Sequence, residues 1–173
     1  MIMYRKLLII GAGGHGQVVA EVAADCGYSD IAFIDDNNEN AIGTISELGR
    51  LQKEYSDAFI GIGNNKLRRQ LLEKIKNMGF NIPVLIHPSA YISRSCEIQK
   101  GVIIEPKAIV NAHSVIGEGS IISVGSIVDH NVTIGRCCHI NAGSVLKAGA
   151  YITDYEKIEA GQVILGYESA RVK

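Results

Sequence analysis

The sequence predicts an α/β unit followed by an all-β parallel β-helix. Three observations carry this. Strand-sized apolar runs alternate with helical patterns up to about residue 82, aliphatic side chains then recur at every sixth position from Ile86 to Ile164, and compact residues recur four positions after them.

A chain of 173 residues with 47% apolar content can bury one or two packed cores. Seventeen basic residues against eighteen acidic ones leave a net charge of −1, so nothing electrostatic favours nucleic acid or an anionic membrane surface as partner. Cys26, Cys96, Cys137 and Cys138 include no C-x-x-C pair. Neither a disulfide framework nor a zinc ribbon is expected, and a reducing cytoplasm is the simplest setting. The opening MIMYRKLLII runs directly into glycines and predicts a first strand rather than a signal peptide. No apolar stretch approaches the roughly 18 residues needed to cross a bilayer, so a soluble protein is expected.

In the first half, Leu7 to Ile10 predicts a strand covered on both faces and leads into Gly11-Ala12-Gly13-Gly14-His15-Gly16. A helix is expected next, with Val18, Val19, Val22, Ala23 and Cys26 as its apolar stripe. Ile31 to Ile34 gives a second strand ending in Asp35-Asp36, and Ala58 to Ile62 a third, followed by Gly63-Asn64-Asn65. The helix after it carries Leu67, Leu71, Leu72 and Ile75, with Gly79 placed as its C′ residue. The result is a Rossmann-like βαβαβ domain over residues 1–82.

Gly11, Gly13 and Gly16 match G-x-G-x-x-G, and Asp35 or Asp36 supplies the acidic residue expected about 20 positions later. Such glycines let backbone approach a ligand, while the helix N-terminus offers free N–H groups to phosphate. A complete dinucleotide fold needs two such halves, so a mononucleotide or nucleotide-sugar is expected here rather than NAD, with Gly14, Gly63 and Asn64 at the same rim. His15 is either a capping or solvent-facing side chain or a ligand contact. Lys66, Arg68 and Arg69 read as a solvated helix face, and Asn64 and Asn65 as N-caps or ligand donors.

In the second half, the six-residue phase runs from Ile86 and Ile92 without interruption through Val128, Ile134 and Ile140 to Ile158 and Ile164. Compact residues from Ala90 and Cys96 to Ser144 and Ala150 hold the other phase. Large inward aliphatics alternating with compact corner residues specify a solenoid whose coils bury one another's edges. This half resembles the hexapeptide-repeat acyltransferases. That resemblance implies a left-handed parallel β-helix with 18-residue coils over residues 83–173, and a homotrimer with active sites between subunits.

The segments GAGGHG, IDD, GIGNN, LIHPSA, IVDHNVTIG and CHINAGS, in this order, resemble one branch of that superfamily. It is the sialic acid O-acetyltransferase and nucleotide-aminosugar N-acetyltransferase group, which serves glycan biosynthesis. The resemblance implies an acetyl-CoA-dependent sugar acetyltransferase using a nucleotide-sugar and no metal. It implies His130 as general base, a role an imidazole fills at neutral pH. Where the group often has an acidic residue next, this chain has Asn131. The second histidine of the group matches His139, near the acetyl-CoA, and the backbone N–H that polarises the thioester carbonyl falls at Ala148, with Gly149 beside it.

Nine residues separate positions 130 and 139, half of an 18-residue coil, so the two histidines converge only between subunits. His113 is expected to be structural, and His87 a hinge or packing residue. Beyond Ala150 the compact phase gives way to Glu156 and Gln162, and the chain closes with VILGYESARVK. By comparison with the group, about one coil or more is expected to be missing, which weakens the expected coenzyme A groove. The competing reading is a nucleotide-sugar-binding scaffold without catalysis. A zinc-dependent solenoid enzyme would need a closer histidine pair than 130 and 139 provide.

Overall fold

A computed structural model describes residues 5–167. Met1 to Tyr4, and the Glu168 to Lys173 part of the closing segment, lie outside the described residues.

The first half is a three-stranded parallel sheet in the order β2-β1-β3, with β1 at Lys6–Ile10, β2 at Asp30–Ile34 and β3 at Asp57–Ile60. Helix α1 (Gly14–Asp25) follows β1 and α3 (Asn65–Asn77) follows β3, while a 3₁₀ turn and the four-residue α2 (Leu48–Leu51) lie between β2 and β3. Leu7 to Ile10 are at most 1% exposed, as expected for a strand covered on both faces. Gly79 follows the α3 C-cap at φ +87°, the left-handed position that stops the helix. Two stripe assignments fail: Val18 and Leu67 are exposed, and the place expected of Leu67 in the interior is taken by Arg68.

The second half is a parallel β-helix of three faces built from two-residue strands. The first face holds Leu85–Ile86, Ile103–Ile104, Ile121–Ile122, His139–Ile140 and Lys157–Ile158. The second holds Tyr91–Ile92, Ile109–Val110, Ile127–Val128, Val145–Leu146 and Val163–Ile164. The third holds Glu97–Ile98, Val115–Ile116, Thr133–Ile134 and Tyr151–Ile152. Each strand pairs with its counterpart one coil away, Ile122 with Ile104 and Ile140, which fixes an 18-residue coil (122 − 104). The second residue of each strand points inward. From Ile104 to Ile152 this residue is at most 1% exposed, and each such aliphatic contributes roughly 1.5–3 kcal/mol of burial.

The corner chemistry explains the compact phase. Ser114, Ser120 and Cys138 donate to Asp129 O, Gly135 O and Thr153 O on the following turn, so a small side chain with a donor both fits and satisfies a carbonyl. A second corner position has positive φ at every sixth residue from Gly101 to Gly161, including the non-glycines Lys107, His113, Asn131, Cys137 and Tyr155. His113 is structural in this sense. The coil continues through Ile164 although Glu156 and Gln162 break the compact phase, because these side chains accept from their own turns, at Thr153 and Glu159, instead of packing inward.

The halves share a core. Val19, Val22 and Phe59 pack with Leu85, Ile103 and Ile121 of the first solenoid face, and Leu71 and Leu72 with Cys137. His87 ties them at the edge, with Nε2 3.0 Å from Asp25 Oδ2 and Nδ1 accepting from the Ser89 N–H, so it is a packing residue.

Candidate active site

The glycine turn is built for close approach. Gly11 has φ +105°, and a Cβ at Gly16 would lie 2.1 Å from Gly11 O, so helix α1 can begin this close to β1 only with glycine there. At Gly13, Gly14 and Gly63 a Cβ would meet nothing within 4 Å, which leaves open space over the start of α1. Beside the turn, a cavity of about 250 Å³ is lined by Ile10, Ile34, Ile45 and Ile62, with Asp35 and Asp36 at its rim.

The two aspartates divide their work. Asp35 accepts from the Ala12 N–H at 2.9 Å and the Asn37 N–H at 2.9 Å, contacts that hold its carboxyl below the usual range and commit it to shaping the glycine turn. Asp36 is exposed and accepts from the Ile45 N–H through Oδ1. Asn64 is an N-cap, its side chain accepting from the Leu67 N–H, while Asn65 donates across to Tyr155 O and Glu156 O on the solenoid.

Arg68 corrects the expectation of a solvated basic face. It is 2% exposed and donates to Gly119 O, Cys137 O and Cys138 O on the solenoid, to Ile62 O and Gly63 O beside the cavity, and to Asn65 Oδ1. Burial pulls its pKa down to about 10. Arg69 is likewise tied, to Glu118 at 3.0 Å and Glu73 at 2.6 Å. The fork geometry of a guanidinium suits several carbonyls at once, and arginine within an amphipathic stripe gives no warning of it in the sequence.

His15 and His139 come together. Their ring centroids are 6.3 Å apart, one at the start of α1 and the other opening a strand of the first solenoid face. His139 Nε2 lies 3.2 Å from Ser123 Oγ, whereas His15 Nε2 is buried without a hydrogen-bond partner among the described residues. Burial first pushes both imidazoles down to about 4, followed by His139 and Arg68 for His15 and by Arg68 and Lys157 for His139, so both are neutral at physiological pH. An orphaned imidazole nitrogen in this position wants a polar partner from a ligand.

His130 lies elsewhere, exposed on the corner that joins the second face to the third. Its N–H donates to Asp129 Oδ1, and the Asn131 amide is 2.8 Å from its Nδ1. Strand alternation would send neighbouring side chains apart, but Asn131 sits in the left-handed corner at φ 57° and reaches back to the ring. One coil on, the Gly149 N–H donates to His130 O and is thereby used, while the Ala148 N–H makes no hydrogen bond among the described residues. Ala148, and not Gly149, is therefore the available backbone donor. Tyr167 places its ring 6.5 Å from that of His130, a neighbour the repeat pattern did not flag.

Residues 6–75 match the family described as the PglD N-terminal domain. Over 94% of its length the chain superposes on the acetyltransferase domain of PglB from Neisseria gonorrhoeae, with a TM-score of 0.89, 38% identity and 83% of that chain covered. The chain belongs to the hexapeptide-repeat acyltransferases, in the sialic acid O-acetyltransferase and nucleotide-aminosugar N-acetyltransferase group. The chain is also similar to GDP-perosamine N-acetyltransferase from Caulobacter crescentus, solved in complex with CoA and GDP-perosamine, with 30% identity and a TM-score of 0.86 over 93% of this chain and 89% of that one. It is 32% identical over 108 residues to UDP-N-acetylbacillosamine N-acetyltransferase of Bacillus subtilis, a match spanning 56% of this chain and half the length of that relative. No helix among the described residues is long and apolar enough to cross a membrane.

Proposed function

We propose that this acyltransferase moves the acetyl group of acetyl-CoA onto the amine of a nucleoside diphosphate-linked amino sugar in the cytoplasm. The observation that carries the reading is the corner where an exposed imidazole stands beside a backbone N–H that has no partner among the described residues, on a chain that also holds a cavity suited to a base and a glycine turn suited to phosphate. The relatives support it: one is named for a UDP-sugar, another was solved with GDP-perosamine, and a PglB acetyltransferase domain was solved with acetyl coenzyme A.

Each residue then has a task. The apolar cavity takes the base with Asp36 at its rim, and the N–H groups at Gly13, Gly14 and His15 face the diphosphate, His15 Nε2 gaining the partner it lacks. Asn131 Nδ2 stands 2.8 Å from His130 Nδ1, and a half-turn of that amide brings its oxygen to the ring instead, so that Nδ1–H donates to it and Nε2 keeps its lone pair. His130 Nε2 takes the proton from the sugar nitrogen as that nitrogen bonds to the thioester carbon. The Ala148 N–H holds the carbonyl oxygen as it becomes negative. The C–S bond then breaks, and His130 returns the proton to the sulfur leaving group.

His130 and His139 stand on different parts of the prism, so the reading includes a homotrimer. The outward residues of the second face are Tyr91, Ile109, Ile127, Val145 and Val163, an apolar column along the whole solenoid, with all but the half-buried Val145 exposed. Association through this face brings the His130 corner of one copy toward the His139-bearing face of the next, because the second face adjoins both. Ile127→Lys is expected to convert trimer to monomer in analytical ultracentrifugation and to remove activity with it. A trimer that survives the charge places the contact elsewhere.

The reading is tested by incubating the protein with acetyl-CoA and either a UDP-linked amino sugar or GDP-perosamine, and following free thiol. Binding of the nucleotide-sugar without thiol release would favour a scaffold instead. The Asn131 contact makes a separate prediction. A carboxylate in its place favours imidazolium, so Asn131→Asp should move the acid limb of the kcat/KM profile up by about 1 pH unit or more. An unmoved limb would show that position 131 does not tune the base.

A further inference from the structure

We propose that Tyr167 sets the length of the acyl group this site accepts. The proposal rests on the acetyl-transfer reading above and adds to it a specificity residue.

Tyr167 lies one coil beyond Gly149 (167 − 149 = 18), on the same corner of the prism as His130. Its N–H donates to Ala148 O at 3.0 Å, while the Gly149 N–H of that same peptide donates to His130 O at 3.0 Å. The peptide that follows the free Ala148 N–H is thus pinned from both sides, once by the base residue and once by Tyr167. The Tyr167 ring rests on Gly149: a Cβ there would lie 2.2–2.4 Å from three ring atoms, so only a bare Cα lets the ring lie down. From this seat the ring is tilted 47° to His130 at 6.5 Å, and with the residue 53% exposed much of its surface remains open.

A thioester whose carbonyl oxygen is held by the Ala148 N–H and whose carbon is within reach of an amine at His130 has its acyl chain in this same corner. Tyr167 is the aromatic surface there, anchored by its own backbone and unable to retreat through Gly149. A methyl group fits beside such a wall; each added methylene must displace it or leave the carbonyl out of line. One methylene in a close apolar pocket changes kcat/KM by roughly 10- to 200-fold.

The test measures kcat/KM of the full chain for acetyl-, propionyl- and butyryl-CoA with the accepted nucleotide amino sugar. Wild type is expected to prefer acetyl over propionyl by about tenfold or more. Tyr167→Ala should bring the three donors to within roughly threefold of one another, while Tyr167→Phe, which keeps the ring, should keep the wild-type order. An unchanged acetyl-to-butyryl ratio in Tyr167→Ala, with wild type active, overturns the role of Tyr167 alone. A wild type that releases no thiol from any donor overturns the acetyl-transfer reading together with it.

Discussion

His130→Ala is expected to lower kcat for acetyl transfer by about 10²- to 10⁴-fold, the range lost with a positioned general base. The side chain is exposed, and its backbone bonds to Asp129 and Gly149 do not depend on the ring, so melting temperature should stay within a degree or two. KM values should change little, because the imidazole acts on a proton that moves only in the transition state. The measurement is thiol release with saturating substrates beside a thermal scan. Activity within a few-fold of wild type would move the base to another residue, with His139 and His15 next in line.

The second large effect is on stability. Arg68→Met is expected to cost about 3–5 kcal/mol, read as a lowered urea midpoint, because five buried or part-buried carbonyls lose the guanidinium together, only Cys138 O keeps a second donor among the described residues, in the Ile121 N–H, and methionine offers none. Arg68→Lys should fall between, since an ammonium has three donors and no fork. A loss under about 1 kcal/mol for the methionine variant would mean that water satisfies those carbonyls and that the packed residues around Leu72 and Cys137 hold the halves together alone.

Much of this architecture was legible because its signals are periodic. A prism with aliphatic edges leaves the same residue type at each sixth position, and the aliphatics from Ile86 to Ile164 fall on strands without a slip. The glycine turn was legible for a related reason: close packing of Gly16 on Gly11 admits no other residue. What stayed hidden depends on direction rather than on period. Arg68 occupies a helical position that looks solvated until the solenoid is placed against it, and Asp35 turns inward while its neighbour Asp36 turns out. Asn131 reads only as standing where the group often has an acidic residue, because nothing in the sequence shows the left-handed corner that folds its amide onto the preceding ring. The meeting of His15 with His139 spans 124 positions (139 − 15), a distance over which no local pattern carries information.

The buried guanidinium has a mechanical side. Because Arg68 holds carbonyls of the cavity wall and of the solenoid corner in one planar fork, the joint has no soft direction, and bending it would strip several donors at once. The protomer is therefore a gauge of fixed span. Its glycine-turn end and its histidine-bearing face stay a set distance apart, so a ligand reaching from one to the other, as the proposed function requires, would be measured against that distance.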